Sequence, residues 1–226
     1  MERKIIVVKI GSSVIIEGKG KLCGRRLSHI VDQLVKLRQE GFAPILVLSG
    51  AVGCGMRVFF QKQVESDKMS KQAAAGVGQS DKMSKQAAAG VGQVEMMQIL
   101  AKLARRRGVR IAQILMTKYD FKYAAMRGNI RKVLRLYMQN GVVPVLNEND
   151  VLDLNSFGGN DFLAGEIAKL FGKSRLLILS SWEGSLFGVG GGEAKETVKN
   201  SLIERGIKTC ILDGREKNII LRSILS

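Results

Sequence analysis

Six short runs of β-branched and aliphatic residues recur along the chain: Lys4 to Ile10, Ala43 to Leu48, Arg110 to Met116, Val142 to Leu146, Arg175 to Leu179 and Lys208 to Leu212. They are continuous rather than alternating, which predicts strands buried on both faces. Between them the apolar residues change to helical spacing. Leu27, Ile30, Val31, Leu34 and Leu37 mark a helix over Arg25 to Glu40, stopped by Gly41. The stretch VEMMQILAKLARRRG predicts a strong amphipathic helix ending at Gly108, and Ile130, Val133, Leu134 and Tyr137 predict one over Gly128 to Gln139. Further helices are expected at Phe162 to Phe171, with Asn160 or Asp161 as its cap, at Glu193 to Arg205 and at Asn218 to Leu225. Strands alternating with helices predict an α/β fold with a mostly parallel sheet. No Pro- or Ser-rich linker interrupts the pattern, so residues 1–226 are expected to form a single domain.

Polar residues gather where the predicted strands stop. Val142 to Leu146 runs into Asn147-Glu148-Asn149-Asp150, and Gly158-Gly159-Asn160-Asp161 follows shortly after. Ligands in open parallel sheets sit beyond the carboxyl ends of the strands, and amides and carboxylates there suit a small zwitterion. The same residues also build Asx turns, so the two readings stay open. Lys9 lies inside the first strand, just before Gly11-Ser12-Ser13. Lysine is almost never buried unpaired, which favours a phosphate-binding ammonium over one that snorkels out at the sheet margin. Ser49-Gly50-Ala51-Val52-Gly53-Cys54-Gly55 predicts a small-residue loop whose N–H groups are free to wrap an anion. Gly188 to Gly192 leads into a helix carrying Lys195 in its first turn, a second candidate anion site.

Composition narrows the partners. The net charge is +16, from 36 basic and 20 acidic residues, a field that favours anions such as nucleotides and dicarboxylates. The basic residues are spread along helices, apart from Arg105-Arg106-Arg107 at a helix end, and no basic-aromatic interleaving is present. Nucleic acid is therefore a disfavoured partner. Cys23, Cys54 and Cys210 form no CxxC or Cys/His pattern and are expected to be reduced thiols of a cytoplasmic protein. No run of eighteen apolar residues suggests a membrane span. The single histidine, His29, lies off its helix's apolar stripe and is expected to be solvated.

Ser66 to Gln79, SDKMSKQAAAGVGQ, recurs unchanged as Ser80 to Gln93. Two copies do not make a solenoid. Fourteen residues are close to four helical turns, so an inserted copy keeps the apolar phase roughly in register.

VVKIGSSVI, SGAVGCG, KQAAAGVGQ, NEND, FGGND, LLILSSWEGSLF and GVGGGEAK, in that order, resemble the amino-acid kinase family, and within it the branch that phosphorylates glutamate. The resemblance covers essentially the whole chain, without the C-terminal domain of RNA-modification type that many members carry. It implies a three-layer α/β/α sandwich, and ATP-dependent phosphorylation of the side-chain carboxylate of L-glutamate, the first step of proline synthesis. ATP with Mg²⁺ carried on it, and a homo-oligomer, are implied as well. By the same resemblance Lys9 and Lys195 contact the transferring phosphate, and Asp161 holds the lysines. Ser49, Asn147, Asp150 and Asn160 bind glutamate, while Gly11, Ser180, Ser181, Gly190 and Gly191 join the two lysines around the nucleotide. The chain departs from the family's pattern at Gly159 and Ser181, where carboxylates are expected, at Gly192, and in a missing segment before Gly188. The alternative these departures raise is a weak or silent relative that binds nucleotide or amino acid without efficient transfer.

The second repeat copy is continuous with the helix after it and is expected to hold the native place. Deleting Ser66 to Gln79 is expected to leave the fold intact and raise the midpoint of thermal unfolding. A deletion variant that melts below the parent would show the first copy to be packed into the structure.

Overall fold

A computed structural model describes residues 3–59, 82–181 and 192–225. Six of its strands form one sheet: β1 (Lys4–Ile10), β4 (Phe42–Leu48), β5 (Arg110–Met116), β6 (Val142–Glu148), β7 (Arg175–Ser180) and β8 (Lys208–Asp213). Their order is β5-β6-β4-β1-β7-β8, and every pairing is parallel. A small antiparallel hairpin, β2 (Ile16–Glu17) with β3 (Lys21–Leu22), lies outside this sheet and is not marked by any hydrophobic periodicity. The helices are α1 (Ser12–Ile15), α2 (Gly24–Gln39), α3 (Ala51–Phe59), α4 (Lys82–Arg105), α5 (Ala124–Gln139), α6 (Asn160–Phe171), α7 (Gly192–Ile203) and α8 (Ile219–Leu225).

Because successive strand residues point to opposite faces, β1 feeds two cores at once. Ile6, Val8 and Ile10 pack with Leu27 and Leu34 of α2, Met96 and Leu100 of α4, and Ile220 and Ile224 of α8. Ile5 and Val7 pack on the other side with Leu134 of α5, Leu163 and Ile167 of α6, and Val198 and Leu202 of α7. This is the three-layer α/β/α arrangement. Burying each such side chain stabilises by roughly 1.5–3 kcal/mol, so both faces of the sheet are committed to helices. By its position in the alternation Lys9 faces the second core, toward α6 and α7.

The predicted anion-wrapping loop after β4 is a correction. Only Ser49 and Gly50 connect the strand, and Ala51 already begins α3. The Cys54 N–H is spent on the Gly50 carbonyl at 2.9 Å, so it is not free for a ligand. The glycines serve a helix crossing instead. A Cβ on Gly55 would lie 1.7 Å from the Ala88 carbonyl oxygen of α4, and one on Gly92 would lie 1.9 Å from that of Ala51. α3 and α4 therefore touch backbone to backbone. The second repeat copy supplies both Ala88 and Gly92, and α4 runs from Lys82 to Arg105 without a break. The first copy lies outside the described residues.

Three smaller points complete the comparison with expectation. His29 is half-buried and its Nε2 lies 2.9 Å from Asn218 Oδ1. Arg107 caps the Leu103 carbonyl at 3.0 Å and ties α4's end to Asp32 and Ser28 of α2. Among the described residues no helix is long and apolar enough to cross a membrane.

Gly92→Ala tests the crossing. Alanine is the better helix former by about 1 kcal/mol, but overpacking against rigid backbone typically costs 1–3 kcal/mol or more. A net loss of about 2 kcal/mol is expected in urea unfolding. A gain would mean the helices stand further apart than described.

Candidate active site

Lys9 stands near the carboxyl end of β1, between Val47 of β4 and Ile178 of β7. The chain leaves β1 toward β4 on one side, and β7 continues to β8 on the other, so β1 borders the point where the connections diverge. Open α/β sheets bind their ligands at such points. Lys9 is only 4% exposed, and burial pushes its ammonium below the ordinary lysine range, opposed by the charge and hydrogen bond of Asp161. The ammonium lies 2.7 Å from Asp161 Oδ1, and the Lys195 ammonium lies 3.3 Å from Asp161 Oδ2. One carboxylate, itself 1% exposed, is thus shared by two buried cations that are far apart in sequence.

Local sequence explains how each group arrives. Gly11 follows Lys9 and donates its N–H to the Leu179 carbonyl at 2.8 Å, closing β1 onto β7. A methyl on Gly11 would sit 3.8 Å from the Lys9 ammonium, so the ammonium folds back over this glycine. Asp161 lies in the first turn of α6, where a carboxylate suits the helix dipole. It does not cap the helix, and neither does Asn160. The capping position is Gly159, with no side-chain hydrogen bond, and Asp161 turns away to the lysines. Lys195 lies in the first turn of α7, a poor place for a cation until the Asp161 carboxylate is counted.

The polar run after β6 divides between the two faces of the sheet. The strand continues two residues further than predicted, so Asn147 and Glu148 still alternate. Asn147 donates to Gln93 Oε1 of α4 at 2.7 Å, on the face away from Lys9, and its own oxygen accepts the Glu148 N–H at 2.9 Å. Its side chain is thus committed to α4, behind the site. Asp150 is half-buried, accepts the Asn155 N–H at 2.9 Å, and burial raises its carboxyl above the usual range. Asn160 stands beside Asp161, and its buried Oδ1 has no hydrogen-bond partner among the described residues. Ser49 is half-buried past the end of β4 and its N–H reaches the Ile10 carbonyl at 3.1 Å. Ser180 ends β7, and the Ser181 N–H reaches Ser13 Oγ at 3.2 Å. The strand ends therefore bring Lys9, Ser49, Ser180 and Ser181 to one edge of the sheet. Gly190 and Gly191 lie outside the described residues.

Glu148 is the residue that sequence reasoning passed over. It is 3% exposed, lies on the Lys9 face of the sheet, and accepts the Phe157 N–H at 3.0 Å and that of Gly159. Burial pushes its carboxyl up to about 7. Its place in the alternation, two residues beyond buried Leu146, was the available signal.

With this geometry in view, the Amino acid kinase family matches residues 4–184. The chain belongs to the amino acid kinase family. The match contains Lys9, the NEND run and Asp161, and stops short of Lys195. The chain is 36% identical over 214 residues to Glutamate 5-kinase 2 of Bacillus subtilis strain 168, covering 93% of this chain and 54% of that protein. It is 29% identical over 250 residues to glutamate 5-kinase of Bacteroides thetaiotaomicron, covering 96% of this chain and 65% of that protein. The chain thus spans between half and two-thirds of the length of these relatives. Among solved structures, an isopentenyl phosphate kinase superposes with a TM-score of 0.64 at 15% identity, covering 98% of this chain and 96% of that one. UMP kinase of Ureaplasma parvum superposes with a TM-score of 0.61 at 11% identity, covering 100% and 96%. At such identities the likeness concerns the fold.

The donor set at the centre of the site is two ammoniums and one carboxylate, a set for an anion. No group of three metal-ligating side chains occurs among the described residues, so nothing there forms a resident metal cage. Any divalent ion at this site would need most of its ligands from outside the protein.

Asp161→Asn leaves two buried ammoniums without their shared counter-charge. Breaking a buried ion pair costs roughly 3–5 kcal/mol, and a loss of that order is expected in denaturant unfolding. The variant's Lys9 pKa falls further, because the opposing influence of Asp161 is gone. The unfolded chain then binds more protons than the native one below the ordinary lysine pKa, so the variant regains stability as pH rises toward about 10. A variant whose deficit is the same at neutral and alkaline pH would contradict this charge assignment.

Proposed function

We propose that this chain transfers the γ-phosphoryl group of ATP, bound with Mg²⁺, to the side-chain carboxylate of L-glutamate. The observation that carries the reading is the convergence of Lys9 and Lys195 on Asp161 at the carboxyl edge of the sheet. The names of the relatives supply the substrate. The chemistry fits what the residues offer. A side-chain carboxylate is already ionised at neutral pH, so its oxygen attacks the γ-phosphorus without a base to take a proton. The new bond is the acyl C–O–P link, the broken one joins the γ-phosphorus to the bridging oxygen, and ADP leaves with the electron pair. Such a transfer needs alignment and neutralised charge more than covalent help from the protein.

In this reading Lys9 and Lys195 balance the charge on the transferring group, and Asp161 keeps both ammoniums aimed when no substrate is present. Asn160, whose Oδ1 has no partner among the described residues, receives the substrate ammonium together with Asp150, while Ser49 closes the pocket from β4. Gly11, Ser180 and Ser181, with Gly190 and Gly191, line the nucleotide side. A second reading has its own observation. Gly159 stands where the family pattern expects a carboxylate, and its φ of +123° is a backbone state that a side chain at Cβ strains. A site with one carboxylate fewer is more positive, so it binds anions but aligns them less well. Misalignment alone costs about a hundredfold in rate.

Coupled assay of ADP release separates the two readings. Release with glutamate and not with aspartate is expected, and Lys9→Met and Lys195→Met should each lower it at least about a hundredfold. Glutamate should also raise the unfolding temperature, as ligands of the native state do, and Asp150→Ala should abolish that protection while nucleotide still protects. Equal release with aspartate, or protection by glutamate surviving Asp150→Ala, would overturn the substrate assignment. Protection without turnover would establish the silent relative.

A further inference from the structure

The KQAAAGVGQ run of the second repeat copy, residues 85–93, does more than seat α4 on α3. At about 100° per residue, Ala88 and Gly92 lie on one side of the helix, while Gln86, Gly90 and Gln93 lie nearly opposite. The first side meets α3. The second side meets β6 and the loop that follows it. Gln93 accepts the Asn147 amide inside the strand. Gln86, half-buried, donates its Nε2 amide to the Val151 carbonyl at 2.9 Å and to that of Leu152 at 3.4 Å. Gly90 leaves room for the same stretch, because a Cβ there would lie 3.3 Å from Val151 Cγ2. Val151 directly follows Asp150.

The stretch around Asp150 is a turn that needs holding from outside. The Leu152 and Asp153 N–H groups both return to the Asn149 carbonyl at 3.1 Å, and the Asn149 N–H reaches the Met116 carbonyl at 2.7 Å. Val151 and Leu152 are 45% and 73% exposed, so apolar burial does little to fix the outer side of this turn. Gln86 grips that side through the two carbonyls. α4 thus stands between two groups that the phosphoryl-transfer reading assigns to the acceptor. On its α3 side the Ala51 carbonyl meets Gly92, two residues after Ser49. On its loop side Gln86 holds the peptide that follows Asp150. β4 and β6 are neighbours, with Val47 beside Leu146, so Ser49 and Asp150 leave adjacent strand ends.

We infer that α4 gauges the acceptor pocket: Gln86 is a positioning residue that sets Asp150 at a fixed distance from Ser49, and thereby the length of amino dicarboxylate the site takes. It touches the loop and not the reacting atoms. What the pocket holds rests on the phosphoryl-transfer reading; the clamp on the loop does not.

The test compares Gln86→Ala, which removes the donor, with Gln86→Lys, which keeps a donor on a side chain of similar reach. Gln86→Ala should raise the KM for glutamate at least about threefold, with kcat and the KM for ATP within about twofold of the parent, since Lys9, Lys195 and Asp161 are untouched. Its preference for glutamate over aspartate should fall by a similar factor. Gln86→Lys should bring the KM back to within about twofold of the parent. Gln86→Glu, which sets a carboxylate against two carbonyls, is a second way to break the clamp and should behave as Gln86→Ala does. Amide exchange reads the clamp without turnover. In Gln86→Ala, protection at Leu152 and Asp153 should fall at least about threefold, while Val145 and Leu146 of β6 keep theirs. Unchanged protection at the two loop amides overturns the clamp. Reduced protection with the parent's KM and preference overturns the gauge. So does a KM that rises equally for glutamate and ATP, with a lower unfolding temperature and no recovery in Gln86→Lys, which would assign Gln86 to the fold alone. A parent that neither binds nor turns over glutamate sinks the kinase reading and the gauge with it, while the exchange result still decides the clamp.

Discussion

A lysine in the central strand of a buried parallel sheet has nowhere to send its charge. Lys9 cannot snorkel to solvent, because Val47 and Ile178 flank it in the sheet and helices cover the face it points to. Its ionised state is tolerable only with a carboxylate at hydrogen-bond distance, and Asp161 supplies it. That requirement fixes a good deal else. The first turn of α6 must reach the end of β1, so the loop from Glu148 has to bring the chain back over the sheet. α7 must dock close enough for Lys195 to share the second oxygen. The site is in this sense the solution to an electrostatic problem that the strand itself creates. A buried pair of this kind adds little net stability over an apolar replacement, so its presence points to function.

Most of the architecture was legible because continuous apolar runs and helical stripes are long-range signals that packing does not override. All six strands of the sheet were anticipated with ends right to within two residues, and Lys9 and Lys195 stood out as cations in places that disfavour them. What was not legible depended on the partner across space. SGAVGCG has the composition of a turn. It forms a helix because Gly55 and Gly92 let two backbones meet, and no local rule says which surface a glycine will face. Glu148 was hidden for the opposite reason. It lies in a run of four polar residues that suggests a loop, and only the observed end of β6 shows it to be inside the strand. The missing cap on α6 follows from the same competition, since Asp161 cannot serve both the helix end and two lysines.

The loop between β6 and α6 is bounded and held by carboxylates at three positions. Its carboxylates are not equivalent. Asp150 is turned toward its own backbone at Asn155, Glu148 toward the far end of the loop at Phe157 and Gly159, and Asp161 toward the cations. Burial raises the first two together. The glycine at position 159, with a φ of 123°, is in this light part of the loop's geometry.

The backbone contact between α3 and α4 has a consequence for the duplication. Taken as an address, the seat on α3 is written in Ala88 and Gly92, with Gln93 beside them, and the chain carries the same address again in Ala74, Gly78 and Gln79. Nothing within either copy distinguishes the two. The postcode lies further along. Three, seven and eleven residues after Gln93 come Met96, Leu100 and Ala104, all buried in the core. The same steps from Gln79 reach Lys82, Gln86 and Gly90. Delivering the first copy to the seat would carry a lysine and a glutamine to the positions of a methionine and a leucine. A sequence that is ambiguous over fourteen residues is thus disambiguated by the three that follow at helical intervals.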